Sequence, residues 1–137
     1  MQRSYSPDIV SANKGEVVIS GAFSVNGASS PVAFRGASGL STSKPNGITS
    51  ITHTGDGEYT ITFDDQFYAM TGASVSLMLA TAADSAVQLT GVPGNLNGTS
   101  ALTQKVTTLT AGTAADIAAA SGNEVHFTFR FKRSMAG

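Results

Sequence analysis

Two histidines, His53 and His126, are the side chains best suited to chemistry in this chain. A zinc site needs three or four nitrogen, sulfur or oxygen ligands at suitable spacing. His53-Thr54-Gly55-Asp56 supplies two and no third stands nearby, so His53 is expected at a solvated hairpin tip. His126 lies between Glu124 and Thr128 in alternation and is expected on the surface or at an interface. Adjacent Asp64 and Asp65 offer carboxylates for calcium. They lack the EF-hand pattern, and turn chemistry accounts for both. Ser74 follows Gly72-Ala73, but the glycine that would complete a nucleophile elbow is missing. Gly36 and Gly39 do not stand between a strand and a helix, as a phosphate loop requires. Paired carboxylates for glycoside hydrolysis are not decided by sequence, but the chain has no tryptophan to stack a sugar. No catalytic, cofactor-binding or metal-binding set assembles from these residues, and no enzymatic activity or cofactor is expected.

The elements that would carry these residues are strands. Val125, Phe127, Phe129 and Phe131 alternate with Glu124, His126, Thr128, Arg130 and Lys132. Side chains of a strand point to opposite faces with period two, so this run reads as a half-buried β-strand. Three phenylalanines in one row need a large apolar partner, which a second packed sheet supplies. Glu16 to Asn26 repeats the pattern with Val17, Ile19, Gly21, Phe23 and Val25, where Gly21 suggests a bulge or a close neighbour. A short strand is expected over Pro31 to Gly36. Ile48 to His53 and Glu58 to Phe63 flank Thr54-Gly55-Asp56-Gly57, a strong hairpin signal. Asp64-Asp65-Gln66 turns the chain, and Phe67 or Tyr68 is expected to plug an end of the core.

Ala73 to Thr81 and Val87 to Val92 complete the middle of the chain, with Met78 and Ala80 making one outer face partly apolar. Ser100 to Thr110 alternates poorly and is expected to be an edge strand or an interface. Thr113 to Ala120 is rich in alanine and begins with a cap-like Thr113 and Asp116, so a short helix is expected there. Gly122-Asn123 stops it. About eight strands separated by turn signals predict an all-β, antiparallel β-sandwich of jelly-roll type with one short helix. Met1 to Asn13 lacks periodicity and reads as an extended arm (residues 1–13) ahead of one domain, 14–137. Arg130, Lys132 and Arg133 form a small basic cluster with two readings: an edge-strand guard, or an ionic contact to an acidic protein surface.

Composition narrows the function classes. A chain of 137 residues can bury one sizeable core. Only 12% of its residues are charged, against roughly 25% in an average domain. The net charge of −1 gives no electrostatic case for nucleic acid or a membrane surface. No apolar run reaches the ~18 residues of a membrane helix. The first seven residues show no apolar core of a signal peptide. Asn97-Gly98-Thr99 matches a glycosylation sequon and is read as a turn. The absence of cysteine excludes disulfides and thiolate metal sites.

With the strands placed, the sequence resembles small bacteriophage virion proteins of the capsid-decoration (cement) type. The segments that carry the resemblance are Gly21 to Gly27, the glycine loop from Pro31 to Gly39, Thr52 to Phe63, and the Ala-Asp segment with Val125 to Phe131. The resemblance implies a β-sandwich on the capsid exterior, with the major capsid protein as partner. It also fits a tail or fibre module, one that could bind a host glycan. A homo-oligomer is expected, a trimer before a dimer. The motives are the weakly charged surface, the poor alternation of Ser100 to Thr110 and the closed symmetry usual for identical subunits. The arm is expected to contact a neighbouring chain.

Overall fold

The final strand pattern is the spine of the molecule. In the computed structural model, which describes residues 16–36, 39–94, 96 and 100–133, Glu124–Lys132 is a central strand with neighbours on both sides. In chain order the strands are β1 (Glu16–Ser24), β2 (Phe34–Gly36), β3 (Gly39–Ser41), β4 (Ile48–Gly55), β5 (Glu58–Phe63), β6 (Ala69–Met78), β7 (Ser85–Gly94), β8 (Thr103–Thr110), β9 (Thr113–Ala114) and β10 (Glu124–Lys132). One sheet runs β3-β2-β1-β10-β6 and the other β4-β5-β8-β7, with β9 added to β8. Every pairing is antiparallel. From β5 onward the chain wraps between the sheets: β6 returns to the first, β7 and β8 lie in the second, and β10 closes beside β1. This is the all-β, antiparallel β-sandwich that the turn spacing predicts.

The two inner faces meet as the alternation requires. Val125, Phe127, Phe129 and Phe131 are buried, as are Ile19 and Phe23 beside them. Tyr59, Ile61 and Phe63 of β5 face them. Phe63 sets its edge against Phe129 at 5.4 Å and Phe131 at 5.1 Å between ring centroids. Phe67, not Tyr68, is the plug: it is buried and stacks on Phe131 at 4.5 Å. Burying each such side chain contributes about 1.5–3 kcal/mol before entropy is subtracted. Gly21 interrupts the apolar row of β1 because Pro45 fills its place: a Cβ there would lie 2.6 Å from Pro45 Cγ.

Three expectations are corrected. No helix forms over Thr113 to Ala120. Its first backbone groups are taken by neighbours: Leu109 and Thr110 pair with Ala114 and Thr113. Ala115 N donates to Thr108 O, and Ala115 O accepts from the Thr108 hydroxyl. The Asp116 carboxylate caps Gly57, on another segment, instead of its own turn. Second, β8 is not an edge but lies between β5 and β7. Its alternation fails because polar Gln104, Thr107 and Thr108 are buried with hydrogen-bond partners. Third, Arg130 and Lys132 cannot guard an edge, since β10 is flanked by β1 and β6. The arm of residues 1–13 and the sequon at 97–99 lie outside the described residues.

Candidate functional site

The polar side chains gather in two places, and both are built by pairing across strands. The first is the outer face of the β1-β10-β6 sheet. Glu124 opens β10 and is only 5% exposed. Burial of a carboxylate costs heavily unless it is paired. Arg35 of β2 meets that need: its Nε donates to both Glu124 oxygens, at 2.8 and 3.0 Å. His126, next on the same face, places Nε2 at 3.1 Å from Glu124 Oε1. Hydrogen bonding from Arg35 first, and its positive charge, hold the Glu124 carboxyl below its ordinary value despite burial. The same pair raises the Arg35 guanidinium. Beside this cluster runs an open groove of about 640 Å³, lined among others by Ser20, Ser74, Ser76, Thr128, His126 and Arg35.

The second place is the β4–β5 hairpin tip. His53 is not solvated there, contrary to the expectation from its spacing. Its side chain is 12% exposed and Nε2 lies 2.6 Å from Asp116 Oδ1. The ring meets Tyr59 edge-on, with centroids 5.4 Å apart. The same Asp116 oxygen accepts the Gly57 N–H at 2.7 Å. That backbone bond, with the His53 contact second, holds the Asp116 carboxyl below its ordinary value. Burial pushes the Tyr59 hydroxyl up to about 12, and among the described residues its oxygen has no hydrogen-bond partner. With histidine, tyrosine and aspartate gathered around a backbone amide, this arrangement staples the hairpin to the 113–117 segment. Its short contacts are explained by that structural role.

The remaining candidates stay apart. Asp64 accepts from Thr49 Oγ1 in a turn, and among the described residues no group of three or more acidic, histidine or cysteine side chains could hold a metal ion. Arg130 faces Glu16, at 3.9 Å. Spacing did not join Glu124 to Arg35, or Asp116 to His53 and Gly57, because these partners lie 89, 63 and 59 residues apart.

These carboxylates make stability depend on pH with a definite sign. The folded state binds protons less readily than the unfolded chain at Glu124 and Asp116. Their contribution is therefore full above the unfolded carboxylate range and is lost as pH falls through the lower folded values. Urea midpoints measured over a pH series should be level near neutrality and decline once pH drops below the ordinary glutamate value of 4.5. Glu124→Gln should be less stable at neutral pH and show a shallower acid decline. An unchanged slope would show that the Glu124–Arg35 pair does not contribute.

A third feature is a surface. β6 and β7 are the edges of their sheets on one flank, where they approach each other. Met70, Val75, Leu77, Leu79, Val87 and Leu89 pack on the core there but stay only partly buried. Met78 is 55% exposed and Val92 86%. From Gln66 to Gln104 the chain carries one charged residue, Asp84. The region beside β1 is filled differently, with Pro45 against Gly21 and Gly47 against Ile19.

Comparison with protein-family models, with curated proteins and with solved structures gave no match to this chain.

Proposed function

We propose that this chain is a structural protein of a bacteriophage particle, a decoration (cement) protein that binds the outer capsid surface and joins neighbouring major capsid subunits. The observation that carries the reading is the β6–β7 flank, with its partly buried apolar row and a single charge across the whole region. Proteins normally protect such edges with lysine, proline or a covering element, and β6 has neither charge nor proline. A flank left apolar and uncharged is suited to burial against another protein. The sequence resemblance supplies the class of partner, the major capsid protein. The mechanism involves no catalysis. Binding to the assembled shell and not to free subunits stabilises the assembly by mass action.

Purified chain added to heads that lack it should bind in hundreds of copies, placed by cryo-EM over joints between capsid subunits. The heads should then withstand more heat. A few copies at one vertex, or no binding, would overturn this reading. A tail or fibre module that binds a host glycan is the second reading. The hydroxyl-lined groove on the β1-β10-β6 face favours it. Binding to a glycan array together with a single-vertex location would select it.

A further inference from the structure

The four sheet edges are managed very differently. β3 is three residues long. β4 is interrupted by two register shifts against β5, one near each end. β7 has a register shift between Thr90 and Gly94, and Pro93 within it removes a backbone donor. Short edges, bulges and proline are the devices by which edges avoid pairing with other chains. β6 has none of them over most of its length. Beyond the irregularity that sets Met70 opposite Phe131, Gly72–Met78 runs in unbroken register with Arg130 back to Glu124. That stretch contains no charge and no proline. Among the described residues its strand pairing is with β10 alone, so its other side is an open row of backbone donors and acceptors.

We infer that β6 pairs antiparallel with β6 of a second copy of this chain, about a two-fold axis through Val75. The inference rests on the reading of the flank as an assembly surface and divides it: the β6 edge takes a second copy, and the β7 side, where Val92 is 86% exposed, is left for the capsid. Four features select a second copy. An antiparallel edge is complementary to itself under a two-fold axis, so one unguarded strand suffices for both sides. Centring the axis on Val75 uses the entire regular stretch: Gly72 faces Met78 of the second copy, and Ser74 faces Ser76. Such pairing also keeps inner faces together. The row Phe127–Val75 and Val125–Leu77 then continues into the same row of the second copy and covers Val75 and Leu77, which are only partly buried in one copy. An uncharged edge offers a differently charged partner nothing to recognise, whereas it offers a second copy no repulsion. Specific interfaces bury at least about 1,000 Å² in total, so the partly buried apolar residues beside β6 must close together with the paired strands. A two-fold pair therefore replaces the trimer as the first expectation for the free protein.

The absence of cysteine makes the test clean. Residues directly opposite across an antiparallel pair have Cα atoms about 4.5–5.5 Å apart, within disulfide range. Ser74→Cys and Ser76→Cys full-length chains, mixed and mildly oxidised, should give a cross-linked heterodimer in several-fold excess over either homodimer. Native mass spectrometry of the unmodified chain should show dimer. Ser74→Lys together with Ser76→Lys should shift it to monomer, because like charges then face each other across the pair. Circular dichroism should show the lysine variant still folded. A monomeric wild-type chain, or a dimer with no preference for the mixed 74–76 cross-link, would overturn the inference. If the monomeric chain still binds capsids through this flank, the functional reading stands and the second-copy inference alone fails. If the dimer forms as described and heads are not bound, the reverse holds.

Discussion

Replacing Phe129 by Ala should lower unfolding free energy by about 3–5 kcal/mol, the usual cost of deleting a buried aromatic side chain. Phe129 has no exposed surface. It sits at the middle of β10, paired with Ile19 of β1 and Ala73 of β6, so strands fix its backbone on both sides. Its ring is packed by Phe63 at 5.4 Å, Phe127 at 5.5 Å and Phe131 at 6.3 Å. These rings are themselves held by neighbours, Phe131 by Phe67. The site therefore has little freedom to collapse into the space left behind. Since small domains are stable by only about 5–15 kcal/mol, the variant should be marginal. Urea unfolding of Phe129→Ala against wild type measures the loss. Val18→Ala is the control on the same sheet, half exposed on its outer face, and should stay within about 0.5 kcal/mol. A loss below about 1 kcal/mol at Phe129 would show that the phenylalanine row is not the core.

That row was also the most legible part of the sequence. β10 and β5 alternate without interruption, and alternation reports burial when every inward residue is apolar. The Thr54 to Gly57 hairpin was legible for the same local reason. Where the reading failed, the deciding contacts were remote. β8 puts Gln104 and Thr108 inward, and their polarity suggested an edge. Inside, the Gln104 amide donates to Lys105 O and Gly91 O, at 2.9 and 3.2 Å. The Thr108 hydroxyl donates to Ala115 O at 2.8 Å. A satisfied polar group can be buried, so composition ceases to report depth. Alanine propensity over 113–120 was likewise outvoted by pairing with β8, since local preference is a weak prior against tertiary context. His53 and Asp116 stand 63 residues apart, beyond the reach of any spacing rule. The open β6 edge was half visible, in Met78 and Ala80. Only the topology shows that β6 lies at the end of its sheet while β10 does not.

The same remote contacts make Gly57→Ala the most damaging small substitution expected outside the aromatic core. Gly57 has φ of +70°, a left-handed conformation that costs an ordinary residue about 1–2 kcal/mol. Space is the larger difficulty. A Cβ at this position would lie 2.5 Å from Thr108 O, 2.6 Å from Ala115 O and 2.8 Å from Ala115 N. All three are backbone atoms, so no side chain can swing aside. The crowding has a cause: the Gly57 carbonyl accepts from Thr108 N at 2.8 Å, and its N–H donates to Asp116 at 2.7 Å. These bonds draw the hairpin tip into the angle between β8 and the 113–117 segment. Relieving the clash means lengthening them, each worth about 0.5–1.5 kcal/mol and more where the charged Asp116 accepts. A total loss of about 3 kcal/mol or more is expected. Gly112→Ala separates the two causes. Gly112 has φ of +81° but nothing within 4 Å of where its Cβ would stand, so it should lose only the backbone part. Urea midpoints of the two variants, measured together, should place Gly57→Ala at least about 1 kcal/mol below Gly112→Ala. Equal losses would mean that the hairpin tip is not clamped, and that His53, Asp116 and Tyr59 are free to serve something other than the fold.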